Sequence, residues 1–334
     1  MAYWTRYSNG PIRLTENVIG YQQPDGGWGL NNTAVLIGRG ETLMVDAAMD
    51  VPRTSYMIKQ WREMDPAAGK IDHLIVTHWH VDHTVGLAAP ELKQSNVIAS
   101  APCAKYMEEN PPQAWMDRVN AMTGDARRAM EESLGIKFDL SILEYRKVDT
   151  VMTGKLEMKV GGRRVEALEV KPCHTRGDVI VNFPDDGVAH CGDLISAQRH
   201  AGLQYPFIDN HIGALESLLG YGAHVYVPGH GPLLTRDDIK EGIEYLNFLK
   251  AMARDAHAAG VDYQEAAERT LKNLGKFKDY NNPERLYIDM KVLYAELDGD
   301  KDYFARKNNA EFVAESMRRR IETPKRFAEL YPSF

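Results

Sequence analysis

Over the first hundred residues apolar and polar positions alternate in short runs separated by turn residues, a texture of strands. Asn32–Gly38 and Glu41–Asp46 flank Arg39-Gly40 and predict a hairpin-like pair. Val51–Met64 predicts a helix opening near Asp50 and Pro52. Ile71–Thr77 is a compact apolar run that suits a buried strand, and Asn96–Ser100 is another short strand. From residue 103 to about 147 the pattern changes: alternating charges, several Met and few β-branched residues predict helices, the first broken at Asn110-Pro111-Pro112. Strand texture returns at Lys159-Val160, Val165–Val170, Asp178–Phe183 and Val188–His190, with a turn at Pro184–Gly187, and again at His224–Val227. After Thr235 the chain reads as helical almost to its end, and Tyr245, Leu246, Phe248, Leu249 and Met252 form an amphipathic stripe. The layout predicts a unit over 1–235, with two strand-rich halves and a helical insertion at about 103–150, followed by a helical extension over 236–334.

The chain has 334 residues, with 40 Lys+Arg against 47 Asp+Glu and a net charge of −7. A hydrophobic content of 44% suffices for a full globular core. The acidic balance argues against nucleic-acid binding, which rests on a basic surface. The basic run Arg318-Arg319-Arg320 with Lys325-Arg326 reads as a solvated helix face. Met1-Ala2-Tyr3-Trp4-Thr5-Arg6 lacks the features of a signal peptide, and no apolar run approaches the ~18–20 residues that span a bilayer. A cytoplasmic protein without a membrane or nucleic-acid partner is the expectation. Cys103, Cys173 and Cys191 form no CxxC pair and cannot all pair within the chain. Cys173 and Cys191 read as small buried hydrophobes rather than soft ligands or a disulfide.

The chemistry concentrates at strand ends. Thr77-His78-Trp79-His80-Val81-Asp82-His83 places four ligand-type groups, His78, His80, Asp82 and His83, within six residues directly after an apolar strand. Such a cluster without a metal would repel when protonated and cost desolvation when buried. Three further strand ends offer matching groups: His174 after Val170–Cys173, Asp193 after Val188–Gly192, and His230 within Pro228-Gly229-His230-Gly231-Pro232. Each of these is weak alone; their joint order is specific. Asp46, after Met44-Val45, either receives a ligand N–H or caps a turn. His190 and His73 read as structural, and His200, His211, His224 and His257 have no motif context.

The ordered set His-x-His-x-Asp-His, His, Gly-Asp and Pro-Gly-His-Gly resembles the metallo-β-lactamase-fold superfamily of metallohydrolases over roughly residues 15–235, with a glyoxalase II-like dinuclear ligand set. Gly192-Asp193-Leu194-Ile195, Tyr205–Asp209 and Asn282–Leu286 are similar to a broad bacterial branch of it. The resemblance implies an α/β fold of four layers, αβ/βα. It implies a first metal on His78, His80 and His174, a second on Asp82, His83 and His230, and Asp193 bridging both. With Asp rather than Ser at the bridging position, a primary β-lactamase role is not expected. On that resemblance, two divalent ions ~3.5–4 Å apart would supply a hydroxide nucleophile, with Asp82 and Asp193 as the expected catalytic residues.

Zinc is the first choice for five His and two Asp; iron or manganese accept the same ligands. The expected activity is a dinuclear zinc hydrolase for a small organic substrate, an ester, lactone, thioester or related bond. The alternative is an iron-dependent redox or dioxygenase-type enzyme on the same fold. Trp79, Tyr205, Phe207, Arg176 and Arg199 are the expected substrate contacts, and Tyr21–Trp28 the expected mobile flap. Met107, Trp115, Met116, Met122 and Met130 read as core or dimer contact rather than a ligand box. A homodimer is expected, as the commonest oligomer.

Overall fold

Among the residues that the computed structural model describes (9–23, 29–124, 127–128, 130–131, 138–144, 146–195, 198–300 and 303), twelve strands form two sheets. The first runs in sequence order: β1 (Gly10–Arg13), β2 (Val18–Gln22), β3 (Thr33–Ile37), β4 (Thr42–Val45), β5 (His73–Ile75), β6 (Asn96–Ser100) and β7 (Thr150–Met152). Strands β1 to β4 pair antiparallel and β4 to β7 parallel. The second sheet has the order β12 (Val225–Pro228), β11 (Val188–Gly192), β10 (Val179–Phe183), β9 (Arg163–Glu169), β8 (Lys155–Val160). Here β8 to β11 are antiparallel, and β12 joins β11 in parallel.

Side-chain alternation along each strand sorts the apolar residues into layers. Val18, Ala34, Leu36, Leu43, Val45 and Ile75 of the first sheet face Val165, Ala167, Val181, Phe183 and Val188 of the second in one central cluster. Their neighbours Ile19, Val35, Met44 and Leu74 point the other way, onto Met57, Ile58 and Trp61 of α1 (Val51–Met64). Asp50 caps α1 by accepting from the Arg53 N–H at 2.7 Å. On the far side, Ile180, Ala189 and Tyr226 pack against α5 (Ile208–Gly220), α6 (Arg236–Ala258), α7 (Tyr263–Lys272) and α8 (Arg285–Leu297). Helix, sheet, sheet, helix is the αβ/βα order expected, and the helices beyond Arg236 cover the second sheet through the stripe of Tyr245, Leu246 and Leu249. No helix among the described residues is long and apolar enough to cross a membrane.

The sequence reading needs correction in several places. The strand expected over Ile71–Thr77 is confined to His73–Ile75, because the Thr77 N–H is claimed by the Asp46 carboxylate at 2.7 Å instead of a ladder. β1, β2, β7 and α5 were not expected; α5 opens at Phe207 with no side-chain cap. The insertion forms α3 (Ala101–Glu109) and α4 (Pro112–Asn120) about the expected break, but residues 138–144 and 146–148 are irregular rather than helical. The Asp139 N–H is drawn to the Asp50 carboxylate at 3.0 Å, outside any helical ladder. Residues 24–28 of the expected flap and the basic run at 318–326 lie outside the described residues.

Asp289 on α8 is fully buried and accepts from the Leu203 N–H at 2.6 Å. Burial pushes its carboxyl up to about 7, against the pull of that bond and of Arg285. A raised carboxyl is protonated in the folded chain where the unfolded chain is already charged, so stability falls as pH rises from near 4 through 7. Asp289→Asn is therefore expected to be more stable than the parent at pH 8, by on the order of 4 kcal/mol and with a higher melting temperature, the gain vanishing towards pH 4. Equal melting temperatures across that range would contradict the assignment.

Candidate metal centre

Four strand ends deliver the ligand-type side chains to one edge of the sandwich. β5 runs into the turn carrying His78 and His80, and α2 (Val81–Thr84) adds Asp82 and His83. His174 lies in the loop between β9 and β10, Asp193 directly after β11, and His230 after β12. His80 Nδ1 is 3.0 Å from His78 Nε2 and 3.1 Å from His174 Nε2. Asp193 Oδ2 lies 3.5 Å from His174 Nε2 and 3.8 Å from His78 Nε2. His230 Nε2 is 3.2 Å from Asp82 Oδ2, and His83 Nε2 is 4.0 Å from the same oxygen. Asp193 also reaches this second group, with Oδ1 3.3 Å from His83 Nε2 and Oδ2 3.4 Å from His230 Nε2. The two sets that could each hold an ion are therefore His78, His80, His174, Asp193 and Asp82, His83, His230, with Asp193 between them.

Outer hydrogen bonds fix which ring nitrogen faces inward. Thr77 has one hydroxyl proton and gives it to Asp46 Oδ2 at 2.6 Å, so the 3.0 Å contact of its oxygen with His78 Nδ1 must use the imidazole's proton. His83 Nδ1 donates to Asp46 Oδ2 at 2.9 Å, and His230 Nδ1 donates to the Leu30 carbonyl at 3.1 Å. Each leaves Nε2 with its lone pair aimed at the centre. Gln204 hydrogen-bonds the His80 ring, whose Nδ1 faces inward. Converging lone pairs about 3 Å apart repel unless a cation lies between them, and His83 Nε2 and Asp193 Oδ1 are buried with no hydrogen-bond partner. The donor set fits a pair of divalent ions.

The local field says the same. Burial pushes His78 and His174 well below the ordinary imidazole range, leaving them neutral. Burial also opposes charge on His83 and His230, yet Asp193 and Asp82 overcome it, raising His230 to about 9 and His83 well above its usual value. Asp82 is held at about 2: burial would raise it, but His83 and His230 outweigh that. The acids thus call for positive charge at these two rings, the charge that a bound cation would bring.

The supporting contacts include residues the sequence reading passed over. Asn32 Nδ2 donates to the Pro228 and Gly231 carbonyls at 2.9 and 2.7 Å and its N–H to Gly229 O at 2.6 Å, fastening the His230 loop across the sheets. Asp178 accepts from the Thr175 N–H at 2.8 Å and from the Cys173 thiol at 3.3 Å, tying the His174 loop. An Asn pair opening a strand and an Asp four residues after a candidate ligand were the available signals. Asp46 resolves as the acceptor for a ligand ring. Cys173 and Cys191 are free and buried, as read, and belong to an apolar cluster. His73 pairs with Glu41 at 2.9 Å, away from the centre.

The expected substrate residues are spread more widely. Trp79 is only 7% exposed; its ring stacks on Tyr106 at 3.7 Å and meets the His80 ring at 4.4 Å. Tyr205 is buried with the exposed Arg176 above its ring at 6.0 Å, and Phe207 sits at the start of α5. Arg199 lines a cavity on the α5–α6 side of Asp193. Tyr21 lies within β2, its hydroxyl on Gln60 at 2.8 Å, and so is not part of a loop. Trp115, Met116, Met122 and Met130 pack with Met49, Val81 and Val85, backing α2, while Met107 joins the cluster under α1.

A Cβ on Gly229 would fall 1.8 Å from Asp193 Oδ1. Gly229→Ala must push the carboxylate aside, and its affinity for Zn2+ is expected to fall at least about tenfold by chelator competition, the scale seen when ligand support is lost. Unchanged affinity would show that Asp193 takes no part in binding.

Residues 26–230, more than half of the chain, match the family described as the Metallo-beta-lactamase superfamily. Two curated relatives from Nocardioides sp. (strain JS1661) are similar to parts of it: the 2,4-dinitroanisole O-demethylase subunit beta, 25% identical over 41% of this chain, and subunit alpha, 28% identical over 34%. The matched segments span 39% and 35% of those relatives' own lengths. Among solved structures, a metallo-beta-lactamase from Pontibacter korlensis matches with a TM-score of 0.55 at 16% identity, covering 72% of this chain and 99% of that one. A stereoselective inverting sec-alkylsulfatase from Pseudomonas sp. matches at 0.61 and 12%, covering 86% of this chain and 50% of that one. At such identities the structural likeness shows the fold alone. The family match, the two-sheet sandwich and the ordered His and Asp loops together place the chain in the metallo-β-lactamase superfamily.

Proposed function

We propose that this chain is a dinuclear metal-dependent hydrolase, loaded with zinc, that acts on a small organic substrate. The observation that carries the reading is the convergence of seven side chains from four strand ends, with the outer nitrogens of three histidines committed to hydrogen bonds. His78, His80 and His174 would hold one ion, Asp82, His83 and His230 the other, with Asp193 shared. When bound, such a pair supplies Lewis acidity and a hydroxide nucleophile near neutral pH.

The chain's own residues do the rest. Asp82, beside His83 and His230, would orient the attacking water through a carboxylate oxygen and pass its proton on to the leaving group. The cluster of Trp115, Met116, Met122 and Met130 on the back of α2 keeps water from the ligand turn on that side. Trp79, Tyr205 and Phe207 form aromatic walls, and Arg176 and Arg199 offer planar donors to a substrate anion. The relatives' names, an O-demethylase of an aromatic methyl ether and a sec-alkylsulfatase, support a search that adds aryl ethers and sulfate esters to esters, lactones and thioesters. The proposal includes a homodimer and excludes nucleic acid as substrate, given the net charge of −7.

Elemental analysis of zinc-loaded protein is expected to give two ions per chain. Asp193→Ala should lower occupancy and cut turnover by more than about 100-fold, beyond the 10–100-fold typical of outer-shell losses. Full activity with one ion per chain would overturn the dinuclear form. Oxygen uptake in step with turnover would overturn hydrolysis in favour of a redox reaction.

A further inference from the structure

We infer that the first turn of α5 is a clamp on two ligand-bearing loops, with Asn210 and His211 as positioning residues for the ion pair; this rests on the dinuclear reading above. Asn210 Nδ2 donates to the Pro172 carbonyl at 2.9 Å, two residues before His174. His211 Nε2 donates to the Leu194 carbonyl at 2.5 Å, one residue after Asp193. Consecutive residues on one helix thus hold the loop of a terminal ligand and the loop of the shared one. Neither residue belongs to the ordered motif.

The chemistry of His211 argues that its donor is the feature in use. A carbonyl only accepts, so Nε2 carries the proton and Nδ1 the lone pair. The side chain is 5% exposed, and Nδ1 is buried with no partner. Leaving that nitrogen unsatisfied costs energy that Leu or Phe of similar bulk would not incur. What those residues lack is the N–H that grips Leu194. The grip matters because Asp193 sits at the corner of a tight turn. Gly192 adopts φ +51° and the Leu194 N–H returns to the Cys191 carbonyl at 3.3 Å. Fixing the Leu194 carbonyl from outside stops the turn from swinging its carboxylate away from either group of histidines. His211 also lines the cavity of about 40 Å³ that reaches Asp193 from the helical side.

The clamp is tied in turn to the helical extension. Glu296 on α8 accepts from the Ile208 N–H at 3.0 Å, capping the end of α5 that carries the clamp. Asp289, on the same helix, holds Leu203 in the segment leading to α5, and Arg285 donates to the His200 carbonyl at 3.0 Å. Helix α5 acts as a strut between the extension and the metal edge.

The test uses the full chain reconstituted with Co2+, reading the visible ligand-field bands and the stepwise affinity by chelator competition, with melting by circular dichroism as the check on folding. His211→Leu is expected to weaken at least one ion by about 10–100-fold and to alter the bands, while His211→Gln, whose amide N–H reaches nearly the Nε2 position, restores most of the affinity. Asn210→Ala should shift the bands more mildly. His257→Gln, a half-buried position paired with Asp298 on the far helices, should leave both readouts unchanged. The inference is overturned if His211→Leu binds and absorbs like the parent, or if His211→Gln is as impaired as His211→Leu. Should His211→Leu fail to fold, His211→Gln together with Asn210→Ala decides: parental bands and affinity in Asn210→Ala overturn the clamp. Parent protein that takes up a single Co2+ overturns the dinuclear reading instead, a separate result from any difference among the variants.

Discussion

The Asp46 carboxylate is fully buried at the end of β4, where its backbone takes φ +59°, and everything at the metal edge is arranged around it. One oxygen takes the Thr77 N–H and ends β5; the other takes the Thr77 hydroxyl and the His83 ring. Through the hydroxyl it also dictates the proton position on His78. A single acid therefore sets the tautomers of two ligands, one in each group, and terminates the strand that presents them. The unusual backbone geometry is the cost of aiming one side chain at three donors in different directions.

The two sheets divide the labour. The first supplies the turn after β5, with four ligand-type residues in contiguous sequence; the second supplies single residues after β9, β11 and β12. The site thus exists only when the halves are packed in the right offset. The central apolar cluster fixes that offset, and Asn32 reinforces it by reaching from the start of β3 to three backbone carbonyls around His230. Packing, which is insensitive to direction, sets the coarse register; hydrogen bonds set the ångström-scale placement.

Much of this was legible in the chain. Short apolar runs between turn residues announced β3, β4, β6, β9 and β10, and the Asp50-Val51-Pro52 start announced α1. The seven ligand-type residues stood out because imidazoles and carboxylates rarely gather directly after apolar runs without a purpose. What stayed hidden was of two kinds. β5 looked longer than it is because hydrophobicity does not reveal that a side chain elsewhere will claim a backbone N–H. Helix α5 went unnoticed because it begins at Phe207 without a polar cap, and its place is set by Glu296, 88 residues distant. Long-range polar contacts leave no periodic trace, so Asn32 and His211 could not be ranked before the fold was known.

Among the described residues, the insertion between β6 and β7 meets the centre through Tyr106, whose ring stacks on Trp79, and through apolar contacts of Trp115, Met116, Met122 and Met130 with Val81 and Val85 at the rear of α2. Among the described residues, the hydrogen bonds that orient the rings of His78, His83 and His230 come from elsewhere, from Thr77, Asp46 and Leu30. Sequence drift in this stretch would leave those hydrogen bonds in place. A lineage could rework it into a different cap over the same candidate ligands, acquiring new molecules to act upon while the arrangement of His and Asp side chains stayed intact.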